Sequence, residues 1–360
     1  LTPPALHLTL EFVRTRDPAD PYAMQLGRQE YLVRDPSRRE YDPVSLDWDD
    51  GVLPLLHQLT QLNVAPDVVH EVGRRLHRFL APAGWRAYED QITEAVRQGR
   101  PVRIHVLSAA AELYALPWEL LSLRATGLQL GRLPDCLVSY AWPGPERRAL
   151  HAEGPGRVLL VWSSAGGSVP AGEHIAALEQ VAGPSLRFDP ARDVVADASL
   201  RSIDRALREA QPRPTVLHLL CHGSQQGLVL HGPSGGDPVL ADSVQMQTLL
   251  APYIHSLRLV VLCACHGGDA VGIGSQIGST AQALHRVGVP AVVASRFPLS
   301  ARGSVTLTQE LYGVLARAPI EIDDAVLAAR RVLALEPDGT DHLALQLYCH
   351  ADVLSDARVV

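Results

Sequence analysis

"VLHLLCHGSQQ" (residues 216–226) and "RLVVLCACHGGDA" (residues 258–270) decide how this chain is read. Each is a short apolar run that ends in a side chain with reactive chemistry, His222 in the first and Cys265 in the second. Glycine follows closely in both, as Gly223 and as Gly267–Gly268. Apolar runs of this length, bounded by turn residues, read as strands buried on both faces. Between them lie a hairpin-like "GLVLHGPSGGDPVL" and a helical "DSVQMQTLLAPY". A strand, a helix and a second strand imply parallel neighbours joined by a right-handed crossover. Both strands then end on one edge of the sheet, the edge where ligands gather in open α/β folds. His222 and Cys265 are therefore expected side by side, although far apart in sequence.

The alternation continues around these runs. "RVLLVWSS" and "PAVVAS" read as strands. "GEHIAALEQVAG", "DASLRSIDRALREA" and "SQIGSTAQALHRVG" read as helices. In the second of these Leu200, Ile203 and Leu207 share one face, and Ser199 or Asp197 is placed to cap it. Two more helices are predicted near 301–316 and 323–335, with a last strand in "HLALQLYCHAD". The stretch "AWPGPERRALHAEGPGR" (residues 141–157) is rich in Pro, Gly and charge and reads as a linker. Before it the pattern is less regular: a strand in "ALHLTLEFV", a polar loop around "RDPADP", helices, a strand in "PVRIHVLS", and the mixed "ELYALPWELLSLR" with Trp118.

Composition bounds the chemistry. The 360 residues are 47% hydrophobic and 20% charged, enough for a sizeable core, and the net charge of −7 argues against nucleic acid as the main partner. No apolar stretch approaches the roughly 20 residues that span a bilayer. Every basic residue in the Lys+Arg count of 32 is arginine, which excludes a P-loop lysine, a Schiff base and a Ser-Lys dyad. The five cysteines, at 136, 221, 263, 265 and 349, are an odd and scattered set, unlike a secreted disulfide framework, so a cytoplasmic location is expected.

Three chemistries compete for the two strand ends. Cys221, His222, Cys263, Cys265 and His266 are donors enough for zinc, but C-x-C spacing is tight for two sulfurs on one tetrahedral ion. A redox pair lacks a C-x-x-C. The third is a nucleophile with its base. An imidazole can take the proton of a thiol whose free pKa is about 8.5, and the oxyanion that follows needs aimed N–H donors. The N–H groups of Gly223 and Cys265 are placed to supply them. His218, Cys221 and Cys263 read as core residues within the strands.

At these motifs the chain resembles the CHAT family, bacterial caspase-like cysteine peptidases related to caspases, separases and metacaspases. The resemblance runs through "VLHLLCHG", "LVLHGPSGGDPVLADSV", "RLVVLCACHGGDA", "TAQALHRVGVPAVVASRFPLS" and "LTQELYGVLARAPIEIDDAVLAARR", with "AAAELYALPWELLS" upstream. It implies a caspase-like α/β/α sandwich with a mostly parallel central sheet at 151–360, preceded by a smaller, non-catalytic N-terminal α+β region at 1–150. It implies His222 as catalytic base, Cys265 as nucleophile, and Gly223 and Cys265 as the oxyanion hole. Ser295 and Arg296 would border the substrate pocket. Metacaspases carry an acidic residue two positions before the nucleophile to read basic substrates. Cys263 stands there in this chain, so Asp269 would have to replace that carboxylate, or Arg296 would favour an acidic residue. No metal and no cofactor are expected. The expected function is cleavage of a partner protein, and of the chain itself, in bacterial antiviral defence or signalling, with a sensor or activator protein as a second partner and no contact with nucleic acid or membrane. The rival expectation is a catalytically silent interaction module of a sensor complex.

Overall fold

A computed structural model describes residues 4–16, 24–34, 40–59, 64–143, 155–223, 227–233, 237–265, 276–296, 299–317, 322–336 and 341–349, with the backbone alone for 50, 264–265 and 276–279. The chain divides into two compact units, one of Leu1–Pro143 and one of Gly144–Val271 with Ser275–Val360.

The first unit is a sheet of β1 (Leu6–Arg14), β2 (Arg28–Arg34), β3 (Tyr41–Asp47), β4 (Val102–Ser108) and β5 (Cys136–Ala141), ordered β5-β4-β1-β2-β3. β1, β4 and β5 are parallel, and β1-β2-β3 is an antiparallel meander. Helices α1 (Leu53–Leu59), α2 (Pro66–Leu80) and α3 (Trp85–Arg97) accompany it. α2 turns Val69, Val72, Leu76 and Phe79 inward, and Phe79 stacks on Phe12 of β1 at 5.9 Å. β2 and β3 lie where the sequence pattern predicts only loop. The reason is their one-sided burial: in β3 Val44 and Leu46 alternate with exposed neighbours, and in β2 Tyr31 and Val33 face inward in an apolar stretch of only three residues between charged ones, so neither strand forms a long apolar run. The mixed segment between β4 and β5 is a series of short 3-10 turns. There Glu112, wholly buried, accepts hydrogen bonds from Arg14 Nε (3.2 Å) and Nη2 (2.5 Å), from Tyr31 Oη (2.9 Å) and from the Gln25 N–H (3.2 Å).

The second unit is the mixed α/β architecture, with a mostly parallel central sheet, that the motifs imply. β6 (Gly156–Trp162), β9 (Val216–Gly223), β12 (Leu259–Cys265) and β13 (Ala291–Ser295) run parallel and side by side. Outside β6 lie the two-residue strands β7 (Leu186–Arg187) and β8 (Val194–Val195). β14 (Leu345–Cys349) closes the other side, antiparallel to β13. β6 pairs with β9 only as far as Leu220; beyond it the hairpin of β10 (Leu228–Leu230) and β11 (Val239–Ala241) takes its place beside His222 and Gly223.

The helices are α4 (Ala171–Val181), α5 (Pro190–Asp193), α6 (Leu200–Glu209), α7 (Ser243–Leu250), α8 (Gln276–Val287), α9 (Ala301–Leu315), α10 (Ile322–Leu333) and α11 (Asp341–Ala344). From β6 the chain first moves outward to β7 and β8, then back across β6 to β9, β12 and β13. Right-handed crossovers therefore place α4 on one face and α6, α7 and α8 on the other. The capping signals act locally as read: Ser199 caps α6 through the Ser202 N–H, and Asp242 caps α7 through the Gln245 N–H. Among the described residues no helix is long and apolar enough to cross a membrane.

Candidate active site

The parallel register of β9 and β12 runs from Leu259 opposite Val216 to Cys265 opposite His222. The last residue pair of this ladder is the pair singled out in the sequence. Adjacent strands lie about 4.8 Å apart, so the backbones of 222 and 265 are neighbours at the carboxyl edge. Val261, Cys263 and Cys265 form one alternating set along β12, opposite His218, Leu220 and His222 of β9.

His222 is 4% exposed. Its ring is seated against a loop that the sequence reading did not single out, residues 163–168 after β6. A Cβ on Gly166 would stand 2.9 Å from His222 Cβ and 3.1 Å from its Cδ2, and one on Gly167 would stand 3.2 Å from His222 Nε2. Gly167 also has φ +137, which L side chains rarely adopt. Backbone here takes space that any side chain would fill. The signal was legible: "VWSSAGG" is a third apolar strand that runs into glycine on the same edge.

Polar groups fix this loop. The Ser163 N–H donates to the Leu220 carbonyl (2.9 Å), and the Gly167 N–H donates to the Ser164 carbonyl (3.0 Å). Ser164 Oγ donates to Asp197 Oδ1 (3.1 Å), Ser163 Oγ lies 3.1 Å from His231 Nδ1, and His231 Nε2 lies 3.6 Å from Asp197 Oδ1. The last three residues have the composition of a serine-hydrolase triad, but Ser163 is wholly buried and cannot meet a substrate. Their work is to hold the loop.

The other expected residues are placed as follows. Gly223 is half-buried and paired with Leu228 of β10. Ser295 ends β13, opposite Leu345 of β14; it is wholly buried, and its hydroxyl has no hydrogen-bond partner among the described residues. Arg296 is half-buried and tied to the segment before β14: its N–H donates to the Ala344 carbonyl (2.9 Å) and its Nη1 to the Leu343 carbonyl (3.3 Å). Asp269 lies outside the described residues.

Further down the same strands is a buried cluster that only the tertiary structure reveals. His174 of α4, His218 of β9 and Cys263 of β12 bring one donor atom each to within 4.8 Å of one another. His174 Nδ1 is 3.1 Å from His218 Nε2. Helix α9 supplies hydroxyls around them, with Tyr312 Oη 3.1 Å from His218 Nδ1 and Ser304 Oγ 3.2 Å from His174 Nε2. Burial holds His174 down to about 4. Burial, and secondarily the neighbouring His174, hold His218 well below the usual histidine range. Both rings are thus neutral near pH 7. His218 is a core residue, as read, but a hydrogen-bonded one.

Parallel strands that end together at a histidine and a cysteine, flanked by helices on both faces, define the class as a caspase-like α/β protein. The CHAT domain profile matches residues 147–346, and the chain belongs to the CHAT domain family. Among solved structures it is similar to separase in the Saccharomyces cerevisiae separase–securin complex, at 14% identity and a TM-score of 0.39 over 69% of this chain and 15% of that one. It is also similar to the complex of Porphyromonas gingivalis RgpB pro- and mature domains, at 11% identity and a TM-score of 0.42 over 85% of this chain and 77% of that one. The chain spans 15% of the length of that separase chain. No curated protein matches it significantly.

Proposed function

We propose that this chain is a cysteine endopeptidase that cleaves a partner protein through a dyad of His222 and Cys265. The observation that carries the reading is the register: 222 and 265 are opposite one another where two parallel strands end, beside a glycine loop shaped to the His222 ring. In this mechanism His222 removes the proton from the Cys265 thiol, and the sulfur attacks the scissile carbonyl carbon. The N–H groups of Gly223 and Cys265 hold the oxyanion. The C–N bond breaks as His222 passes its proton to the leaving amine. A water that gives a proton to the same imidazole then hydrolyses the thioester.

Ser295, Arg296 and Asp269 are proposed to line the substrate side. This assignment rests on the family resemblance; Ser295 itself is wholly buried, so it would shape the pocket wall from behind rather than meet the substrate. The substrate class is a protein or peptide. A sensor or activator partner, the bacterial cytoplasm and a role in antiviral defence or signalling rest on the family resemblance.

The test is co-expression with proteins encoded in neighbouring genes, followed by a search for a fragment that depends on Cys265. Cys265→Ala and His222→Ala should each remove the fragment while the chain stays folded, because nucleophile and base act as a unit. A fragment that persists in Cys265→Ala overturns the assignment. Partner binding unchanged by both variants, with no cleavage in the wild type, selects the interaction-module reading instead.

A further inference from the structure

Building on the dyad reading of His222 and Cys265, we propose that Asp197 is a positioning residue for His222. Its carboxylate ties together the Gly166–Gly167 loop and the β10 hairpin, the two pieces of chain that seat the imidazole on this flank. Among the described residues Asp197 is the one non-glycine residue with a positive φ, +46. Left-handed backbone strains an L residue and leaves glycine unstrained. Asp tolerates it better than most types. A side chain kept in that conformation beside a reacting group points to a use for the side chain.

Residues 164–167 form a turn closed by the Gly167 N–H on the Ser164 carbonyl at 3.0 Å. Its last two residues, Gly166 and Gly167, are the ones that stand against the His222 ring. Ser164 Oγ donates to Asp197 Oδ1 at 3.1 Å, so the carboxylate fixes the first residue of the turn and, through it, the two that meet the ring. On the other side β10 pairs Val229 with His222 and Leu228 with Gly223. His231 follows β10 directly, and its Nε2 stands 3.6 Å from the same Asp197 oxygen. Ser163 Oγ, which accepts from the Ala165 N–H at 3.3 Å, lies 3.1 Å from His231 Nδ1. One tautomer suits both neighbours: Nδ1 accepts from Ser163 and Nε2–H faces the carboxylate. The other would set a bare nitrogen against Asp197 Oδ1.

The backbone repeats this connection. The Ala198 N–H donates to the Trp162 carbonyl at the end of β6 (2.9 Å), and the His231 N–H donates to the Ala198 carbonyl (2.9 Å). His222 lies past the last β6–β9 pair, Trp162 with Leu220, so its seat on this flank is built from the loop and hairpin that Asp197 links. The competing role is a local one, in which Asp197 only shapes the turn ahead of the α6 cap, Ser199. Its side chain is 57% exposed, and exposed polar contacts add little stability. Under that role glycine at 197 would be harmless to structure and rate alike. Under the positioning role it would spare the fold and slow the chemistry.

The experiment compares Asp197→Gly, Asp197→Asn and Ser164→Ala with the wild type and Cys265→Ala. It reads cleavage of the partner recovered by co-expression, and the His222 ring resonances of full-length chain carrying 13C-labelled histidine, assigned by their loss in His222→Ala. Asp197→Gly keeps the left-handed backbone and removes the carboxylate. It should melt near the wild-type temperature, lose about tenfold in kcat at unchanged KM, and shift or broaden the His222 resonances. Asp197→Asn keeps an oxygen that accepts from Ser164 and tolerates the same φ, so it should restore most of the rate. Ser164→Ala should slow the reaction too, and the double variant with Asp197→Gly should be no slower than Asp197→Gly alone. If the wild type cleaves and Asp197→Gly matches its kcat, the positioning role is overturned while the dyad stands. A double variant slowed by the product of the two single effects overturns the link through Ser164. If the wild type shows no Cys265-dependent cleavage, the dyad reading falls and the ring decides: moved His222 resonances in Asp197→Gly support the seat, and unmoved ones refute it. Should Asp197→Gly fail to fold, Ser164→Ala decides by the same two readings.

Discussion

Gly166 and Gly172 are six residues apart, and the structure assigns them opposite responses to the same substitution. A Cβ on Gly166 would lie 2.9, 3.1 and 3.2 Å from Cβ, Cδ2 and Cγ of His222. Carbon atoms at rest stand about 3.5–4.0 Å apart, so loop or ring must yield by roughly half an ångström. His222 is 4% exposed, which leaves the ring little room to retreat. Overpacking of this kind costs about 1–3 kcal/mol of stability. A misplacement of about 1 Å at a reacting group costs roughly 100-fold in rate, so half of that displacement predicts about a tenfold loss, or about 1.4 kcal/mol of barrier. Gly172, exposed in the first turn of α4, has no atom within 4 Å of the added Cβ. Gly172→Ala should raise stability by a few tenths to about 1 kcal/mol and leave the rate unchanged. The assay is cleavage of the partner recovered by co-expression, with iodoacetamide modification of Cys265 as a readout that needs no substrate. The buried Cys136, Cys221, Cys263 and Cys349 serve as internal controls. If Gly166→Ala cleaves and labels at the wild-type rate, the loop does not seat the imidazole and the positioning argument fails.

Further outcomes concern stability. Arg14→Ala strands the Glu112 carboxylate in the core and should cost about 3–5 kcal/mol in urea unfolding; a loss below about 1 kcal/mol would mean that Tyr31 and the Gln25 N–H suffice. Ser300→Ala removes the hydroxyl that accepts from the Gly303 N–H (2.8 Å) and donates to Asp341 (2.6 Å), and a cost of about 1 kcal/mol should appear in the same measurement. In the folded chain burial keeps His174 neutral down to about 4, whereas in the unfolded chain it protonates near 6.5. The unfolded chain then binds the extra proton, so the contribution is complete above pH 6.5 and stability falls as pH drops toward 4, by about 3 kcal/mol from this group. Urea midpoints from pH 7 to 4 should show a slope of that sign, and His174→Gln should reduce it, the remainder belonging to the buried His218; an unchanged slope would show that His174 titrates near its ordinary value.

Much of the second unit was legible because its central strands are buried on both faces. "VLHLLCHG" and "RLVVLCAC" can be little else than inner strands, and the intervening helix with the crossover rule made them parallel neighbours, as the register shows. The hairpin, the cap at Ser199 and the return strand β14 carried equally local signals. β2 and β3 did not, since a strand with one wet face alternates and resembles loop.

The sequence by itself determined the strand order around residues 222 and 265, because hydrophobic periodicity and chain handedness act over short distances. Tertiary structure alone decided what surrounds them. Gly166 and Gly167 meet His222 from more than fifty residues upstream, and His174 meets His218 and Cys263 across a helix–sheet interface. Such contacts depend on how faces stack once elements have formed, and side-chain packing between distant elements leaves no periodic trace in the chain that encodes it.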